Sequence, residues 1–171
     1  MSSKRIDTQK LHFERATEHD CEPILRMIHR CLREVNANDY SETEIERQRR
    51  KFNRDWFLDM LENKHYYIAR YHGVSIACGG VSMDEQQKFQ CFFSAVFVDP
   101  DYIGRGIGAA LIRFLEEDEW CRQSNLIELS SSLTAHGFYR RLGYRYRENP
   151  PIFRKDGVVM MYREKEANET W

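Results

Sequence analysis

The spacing of apolar positions changes period twice along the chain. Leu11 to Arg15 alternates apolar and polar, with Leu11 and Phe13 on one side, which predicts a strand. Thr17 or Asp20 then offers a helix cap. Ile24, Leu25, Ile28, Leu32 and Val35 follow at spacings that gather on one helical face. Asn36–Tyr40 interrupts that face. Ser41-x-x-Glu44 reads as a capping box, in which each end satisfies a backbone donor of the other, and it opens a second helical stretch through Trp56 to Leu61. The charges of that stretch (Glu44, Glu46, Arg47, Arg49, Arg50 and Lys51) read as a solvated face.

Beyond Leu61 the period becomes two. Tyr66–Tyr71 and Val74–Met83 are strands joined by the tight turn His72-Gly73, and Asp84–Gln87 turns the chain into a third strand, Lys88–Val98. Connections this short join antiparallel neighbours, so the three form a meander. Gly79-Gly80 inside the second strand marks a bend or a close approach. After Asp99-Pro100, the turn Gly104-Arg105-Gly106-Ile107-Gly108 leads into a helix from about Ala109 to Arg122, whose buried stripe is Leu111, Ile112 and Leu115. Leu126–Leu129 is a buried strand reached by a crossover, hence parallel to the strand before it. Thr134–Leu142 is a short helix stopped by Gly143, and Tyr144–Arg147 and Val158–Arg163 are late strands around Pro150-Pro151. Residues 1–10 and 164–171 read as loose polar tails, which leaves one domain over residues 11–163.

The composition narrows the class. A chain of 171 residues buries a core without metals or disulfides, and its 42% hydrophobic and 31% charged residues are ordinary for a globular protein. A net charge of −1 gives no global field for nucleic acid or an anionic membrane, so any basic site is local. Cys21, Cys31, Cys78, Cys91 and Cys121 are scattered, odd in number and without a Cys-x-x-Cys pair, which speaks against a disulfide framework or a zinc site. They read as free thiols in a reducing compartment. With no apolar leader or membrane-length run, the expected location is cytoplasmic.

The glycine turn carries the chemistry. A strand, a loop of glycines and a helix start make an anion site: glycines let backbone N–H groups point inward, and the helix end adds partial positive charge. Arg105 adds a full charge and a fork of donors suited to phosphate. The ligand expected there bears a phosphate or pyrophosphate. Gly104-x-Gly106-x-x-Ala109 also fits the dinucleotide fingerprint, with Glu128 about twenty residues on as the ribose acid. Three features oppose that oxidoreductase reading. Asp99–Ile103 separates the strand from the turn, an antiparallel meander precedes it, and too little chain follows for a doubly wound sheet.

The string Val96-Phe97-Val98-Asp99-Pro100-Asp101-Tyr102-Ile103-Gly104-Arg105-Gly106-Ile107-Gly108-Ala109-Ala110-Leu111 resembles the acetyl-CoA motif of the GNAT superfamily of N-acetyltransferases. Ser132-Leu133-Thr134-Ala135-His136-Gly137-Phe138-Tyr139-Arg140-Arg141-Leu142-Gly143-Tyr144 is similar to the family's later motif, A-x-x-F-Y-x-x-x-G-F/Y. The order of elements matches too, so the resemblance spans roughly Leu11 to Arg163. It implies a GNAT-type fold of the α/β (α+β) class: a mixed, mostly antiparallel sheet of about six to seven strands flanked by helices. It implies an acetyl-CoA-dependent N-acetyltransferase acting on a small-molecule or peptide amine, as a monomer or homodimer. Val96, Phe97 and Val98 would pair with the pantetheine arm, and a backbone N–H there would polarise the thioester carbonyl. Gly104, Arg105, Gly106, Ile107, Gly108 and Ala109 would hold the pyrophosphate. Ile103 stands where the family usually has Gln or Arg. Ser132 and Thr134 would meet the pantetheine or cap the short helix. Tyr139 would protonate the departing thiolate.

The resemblance names no base for the amine; Glu128, Asp84, Glu85, His72, His136 and a water chain are the candidates. The acceptor pocket falls about Leu32–Leu61, where Tyr40, Phe52, Trp56 and Phe57 either receive a cationic amine or form core. A non-catalytic acyl-CoA sensor on the same fold is the alternative, and turnover with an amine separates the two.

Overall fold

The computed structural model describes residues 6–83, 89–155 and 157–165, and Asp84 and Glu85 lie outside them. Among the described residues the strands are β1 (Leu11–Arg15), β2 (His65–Tyr71), β3 (Val74–Met83), β4 (Gln90–Val98), β5 (Leu126–Ser132), β6 (Arg145–Tyr146) and β7 (Val158–Glu164). The helices are α1 (Cys21–Glu34), α2 (Glu42–Lys51), α3 (Arg54–Asn63), α4 (Ile107–Glu116), α5 (Glu119–Gln123) and α6 (His136–Arg141).

One seven-stranded sheet runs β1-β2-β3-β4-β5-β7-β6. Every neighbouring pair is antiparallel except β4–β5, which is parallel because the chain between them crosses over through α4 and α5. This is the mixed, mostly antiparallel sheet the motifs imply, and a doubly wound sheet is excluded. His72 and Gly73 both take positive φ, +49° and +79°, which turns β2 tightly into β3.

Two packed layers lie against the sheet. One contains Leu111, Ile112, Leu115, Ile127, Tyr139 and Met161; the other contains Ile24, Ile28, Leu32, Phe57, Tyr66 and Cys78. The paired glycines of β3 let both come close. A Cβ at Gly79 would lie 2.9 Å from Leu115 Cδ1, and one at Gly80 would lie 2.9 Å from Met60 Cε.

Local caps divide both long helical stretches expected from the periodicity. The Asn53 side chain accepts from the Trp56 amide at 2.9 Å and starts α3 afresh after α2. Asp118 does the same for α5, accepting from the Trp120 amide at 2.8 Å. Thr8–Lys10 also departs from the expectation of a loose tail: it forms a 3₁₀ turn capped by Asp7, and the Ile6 amide donates to the Arg105 carbonyl at 3.3 Å. No helix among the described residues is long and apolar enough to cross a membrane.

Candidate active site

The parallel pair β4–β5 opens partway along its length. Its register runs from Gln90↔Leu126 to Phe93↔Leu129, after which β5 continues against β7 while Ser94–Val98 continue against β3. Backbone groups on one side of Ser94–Val98 therefore have no strand partner in β5. The opening coincides with an irregularity in β4: Gly80 faces Ser94 and Cys78 faces Phe97, so Gly79 alone opposes Ala95 and Val96. Ala95 takes φ +50°, a left-handed conformation unusual for a residue with a Cβ. Val96 and Val98 pack toward α4, and Phe97 packs toward α1–α3. The Val98 carbonyl already accepts from the Cys31 thiol of α1 at 3.1 Å, and burial pushes that thiol's pKa up.

At the end of β4 the chain enters α4 through the glycine turn. Gly104 and Gly106 take φ +77° and +92°, and a Cβ at either would meet almost nothing, so backbone conformation demands these glycines. At Gly108 the limit is space, since a Cβ would sit 3.1 Å from the Phe138 ring, which would have to give way. The first bond of the new helix is from the Ala110 amide to the Gly106 carbonyl, 3.1 Å. The amides of Ile107, Gly108 and Ala109 therefore lack helical acceptors. Arg105 lies over the Tyr102 ring, 5.5 Å from its centroid, and its Nε is buried with no partner among the described residues. Such an orphaned donor costs free energy unless a ligand accepts from it. These donors fit a pyrophosphate group. Ile103 beside them is extended and 45% exposed.

The periodicity gave no sign of the brace behind this turn. Arg30 of α1 forms ion pairs with Asp99 (3.1 Å) and Asp101 (3.3 Å) while also holding Glu34 (3.0 Å). Only the Arg30/Glu34 spacing was visible in the sequence, because the aspartates lie 69 and 71 residues away.

Tyr139 of α6 is linked to the glycine turn through Phe138, the ring that a Cβ at Gly108 would meet. Its ring is 6% exposed and packs edge-on against Phe138 and Tyr144, with centroids at 5.1 and 5.7 Å. Its hydroxyl has no hydrogen-bond partner among the described residues, and burial raises its pKa above the ordinary 10.0, so it keeps its proton at neutral pH. Ser132 Oγ accepts from the Ala135 amide at 3.2 Å and so caps the entry to α6. Thr134 Oγ1 donates to Asp39 at 2.7 Å.

The base candidates separate. Glu128 accepts from Gln90 Nε2 at 2.6 Å and pairs with Arg147 at 3.2 Å. His136 Nδ1 shares a 2.8 Å hydrogen bond with the Tyr146 hydroxyl, and His72 sits exposed in the β2–β3 turn. Lys64, which the sequence reading did not single out, places Nζ 3.1 Å from Ser94 Oγ next to the β4 irregularity, and burial lowers its pKa. Of the acceptor-region aromatics, Phe57 is fully buried core. Phe52 packs edge-on against Trp56 (4.7 Å) and Phe97 (5.5 Å), and Tyr40 hydrogen-bonds across to Leu133 and Gly157.

Comparison with known proteins agrees with this fold. The chain superposes with a TM-score of 0.76 on the PaiA N-acetyltransferase of Thermoplasma acidophilum, solved in complex with coenzyme A, at 15% identity over 90% of this chain and 98% of that one. A GCN5-related N-acetyltransferase from Rhodopseudomonas palustris gives a TM-score of 0.74 at 19% identity over 96% and 98% of the two chains. In sequence the chain is 26% identical over 143 residues to an uncharacterized N-acetyltransferase of Methanocaldococcus jannaschii, covering 77% of this chain and 59% of that relative's length. The model of the acetyltransferase (GNAT) family matches residues 26–144, a stretch that contains the opened strand pair, the glycine turn and Tyr139, and the chain belongs to that family.

Proposed function

We propose that this protein transfers the acetyl group of acetyl-CoA to a primary amine by direct attack. The observation that carries the reading is the set of donors at the start of α4 that have no partner among the described residues: the amides of Ile107, Gly108 and Ala109, and the buried Nε of Arg105 just before them in sequence. A pyrophosphate bound there directs the pantetheine arm along Ser94–Val98, where the opened strand pair leaves backbone groups to receive it. A backbone N–H of that segment then faces the thioester carbonyl and stabilises the charge that develops on its oxygen.

The reaction forms a C–N bond and breaks the C–S bond. The amine nitrogen loses one proton, which leaves through water or a side chain of the acceptor face, and the departing sulfur gains one. Tyr139 supplies that proton as general acid, and its hydroxyl suits the task because no other group among the described residues claims it. The affinity of Arg105 and the helix end for anions is independent of the acceptor, so cofactor binding tests the site first.

Calorimetry and thermal shift with acetyl-CoA, coenzyme A and a nicotinamide dinucleotide are the measurements. The two coenzyme A forms should stabilise the protein, by about 2.7 kcal/mol at a hundredfold excess over Kd, and the dinucleotide should not. Gly106→Glu and Arg105→Glu should abolish the effect, and wild-type affinity in both variants would move the site elsewhere. Binding without turnover on any primary amine would favour a sensor over an enzyme.

A further inference from the structure

Three segments distant in sequence meet where β5 ends. The Tyr40 hydroxyl donates to the Gly157 carbonyl (2.6 Å) and accepts from the Leu133 amide (2.8 Å), across separations of 117 and 93 residues. The Leu133 amide also reaches the Gly157 carbonyl at 3.2 Å, just beyond the Ser132↔Val158 pair, so the phenol enters the last rung of the β5–β7 ladder. The neighbouring Asp39 accepts from Thr134 Oγ1. Gly157 forms a socket for the ring: it takes φ +75°, and a Cβ there would stand 2.3 Å from Tyr40 Cε1.

These contacts fall on Leu133 and Thr134, just before α6. That helix has six residues, too few to hold a direction by its own hydrogen bonds, so its entry sets where it points. Three contacts fix the entry: Ser132 Oγ on the Ala135 amide, Thr134 Oγ1 on Asp39 and the Tyr40 bridge.

We propose that Tyr40 is a positioning residue for Tyr139, locking the β5–α6 turn to the α1–α2 loop so that the acid and the acceptor-side wall form one unit. The proposal rests on the reading of Tyr139 as the acid. Tyr40 touches no reacting atom and acts through the Leu133 amide. It also gives the 36–40 loop a function that its sequence, a mere helix break, did not suggest.

Tyr40→Phe removes both hydrogen bonds and keeps the ring, whereas Gly157→Ala displaces the ring and keeps the hydroxyl. Hydrogen–deuterium exchange on the whole protein, read over residues 132–142, tests the lock without any substrate. Both variants should exchange faster there and as slowly as wild type in α1. Coenzyme A release is then followed with a panel of primary amines comprising a diamine, an aminoglycoside and a tetrapeptide. Tyr40→Phe should lower kcat by about five-fold, the part of the two lost hydrogen bonds that is expressed at the transition state, with the affinity for acetyl-CoA unchanged. Added to Tyr139→Phe it should cost nothing more, because the group it positions is gone. Unchanged exchange in both variants overturns the lock. Faster exchange with full turnover, or a fully multiplicative loss in the double variant, overturns the positioning role. Wild-type turnover in Tyr139→Phe alone refutes the acid, and the positioning role with it, while the exchange measurement still decides separately whether the lock exists.

Discussion

Replacing Tyr139 by Phe separates chemistry from packing. The change deletes one oxygen from a ring that is 6% exposed and held by Phe138 and Tyr144. The hydroxyl makes no hydrogen bond among the described residues, so no partner is stranded by its loss. Tyr139 Oη is not among the fully buried unpaired atoms, so removing it should leave stability within about 1 kcal/mol of wild type. For a domain of this size that moves Tm by at most a few degrees, about 2–4 °C. The rate carries the opposite expectation. A positioned general acid contributes about 10²–10⁴-fold, equivalent to about 3–5 kcal/mol of barrier. Catalytic loss should therefore exceed any change in stability several times over. Tm, acetyl-CoA affinity by calorimetry and coenzyme A release with an accepted amine are measured on one preparation. Slow, folded enzyme with normal affinity supports the acid. Wild-type turnover refutes the reasoning, and a lowered Tm with normal turnover would return Tyr139 to the core.

Two further expectations follow from the same structure. Ile103 is exposed and extended, so Ile103→Gln fits without strain and should bind coenzyme A as tightly or up to about ten-fold more tightly by calorimetry; marked weakening would show that the isoleucine packs the loop. Burial raises the pKa of the thiols Cys31, Cys78 and Cys121 above the ordinary 9.0 and of Tyr66, Tyr139 and Tyr144 above the ordinary 10.0, so stability should begin to fall near pH 9 and fall more steeply above pH 10, because the unfolded chain releases protons the folded one keeps. The loss is about 1.4 kcal/mol per tyrosine by one pH unit above its ordinary pKa, and urea unfolding from pH 8 to 11 that shows no decline would contradict it.

What the sequence determined by itself was whatever nearby residues settle among themselves. The β2–β3 turn was legible because His72-Gly73 carries positive φ, and the glycine turn because Gly104 and Gly106 do. The meander and the parallel crossover followed from connection length, and Gly143 marked the end of α6 through its φ of +91°. Asn53 and Asp118 were legible as caps as well, but unbroken periodicity on either side hid them inside one long helix each. The tertiary structure decided everything that depends on residues far apart. No local signal asks a non-glycine residue at 95 to take a left-handed φ; that comes from the two-against-one register between β4 and β3. Arg30 is an ordinary helix-face arginine until the fold brings Asp99 and Asp101 to it, and Tyr40 is an aromatic in a loop until Leu133 and Gly157 close around its hydroxyl. Turn and cap preferences act over a few residues and are written in them, whereas a hydrogen bond spanning 69 to 117 residues exists only once the whole sheet has ordered its strands.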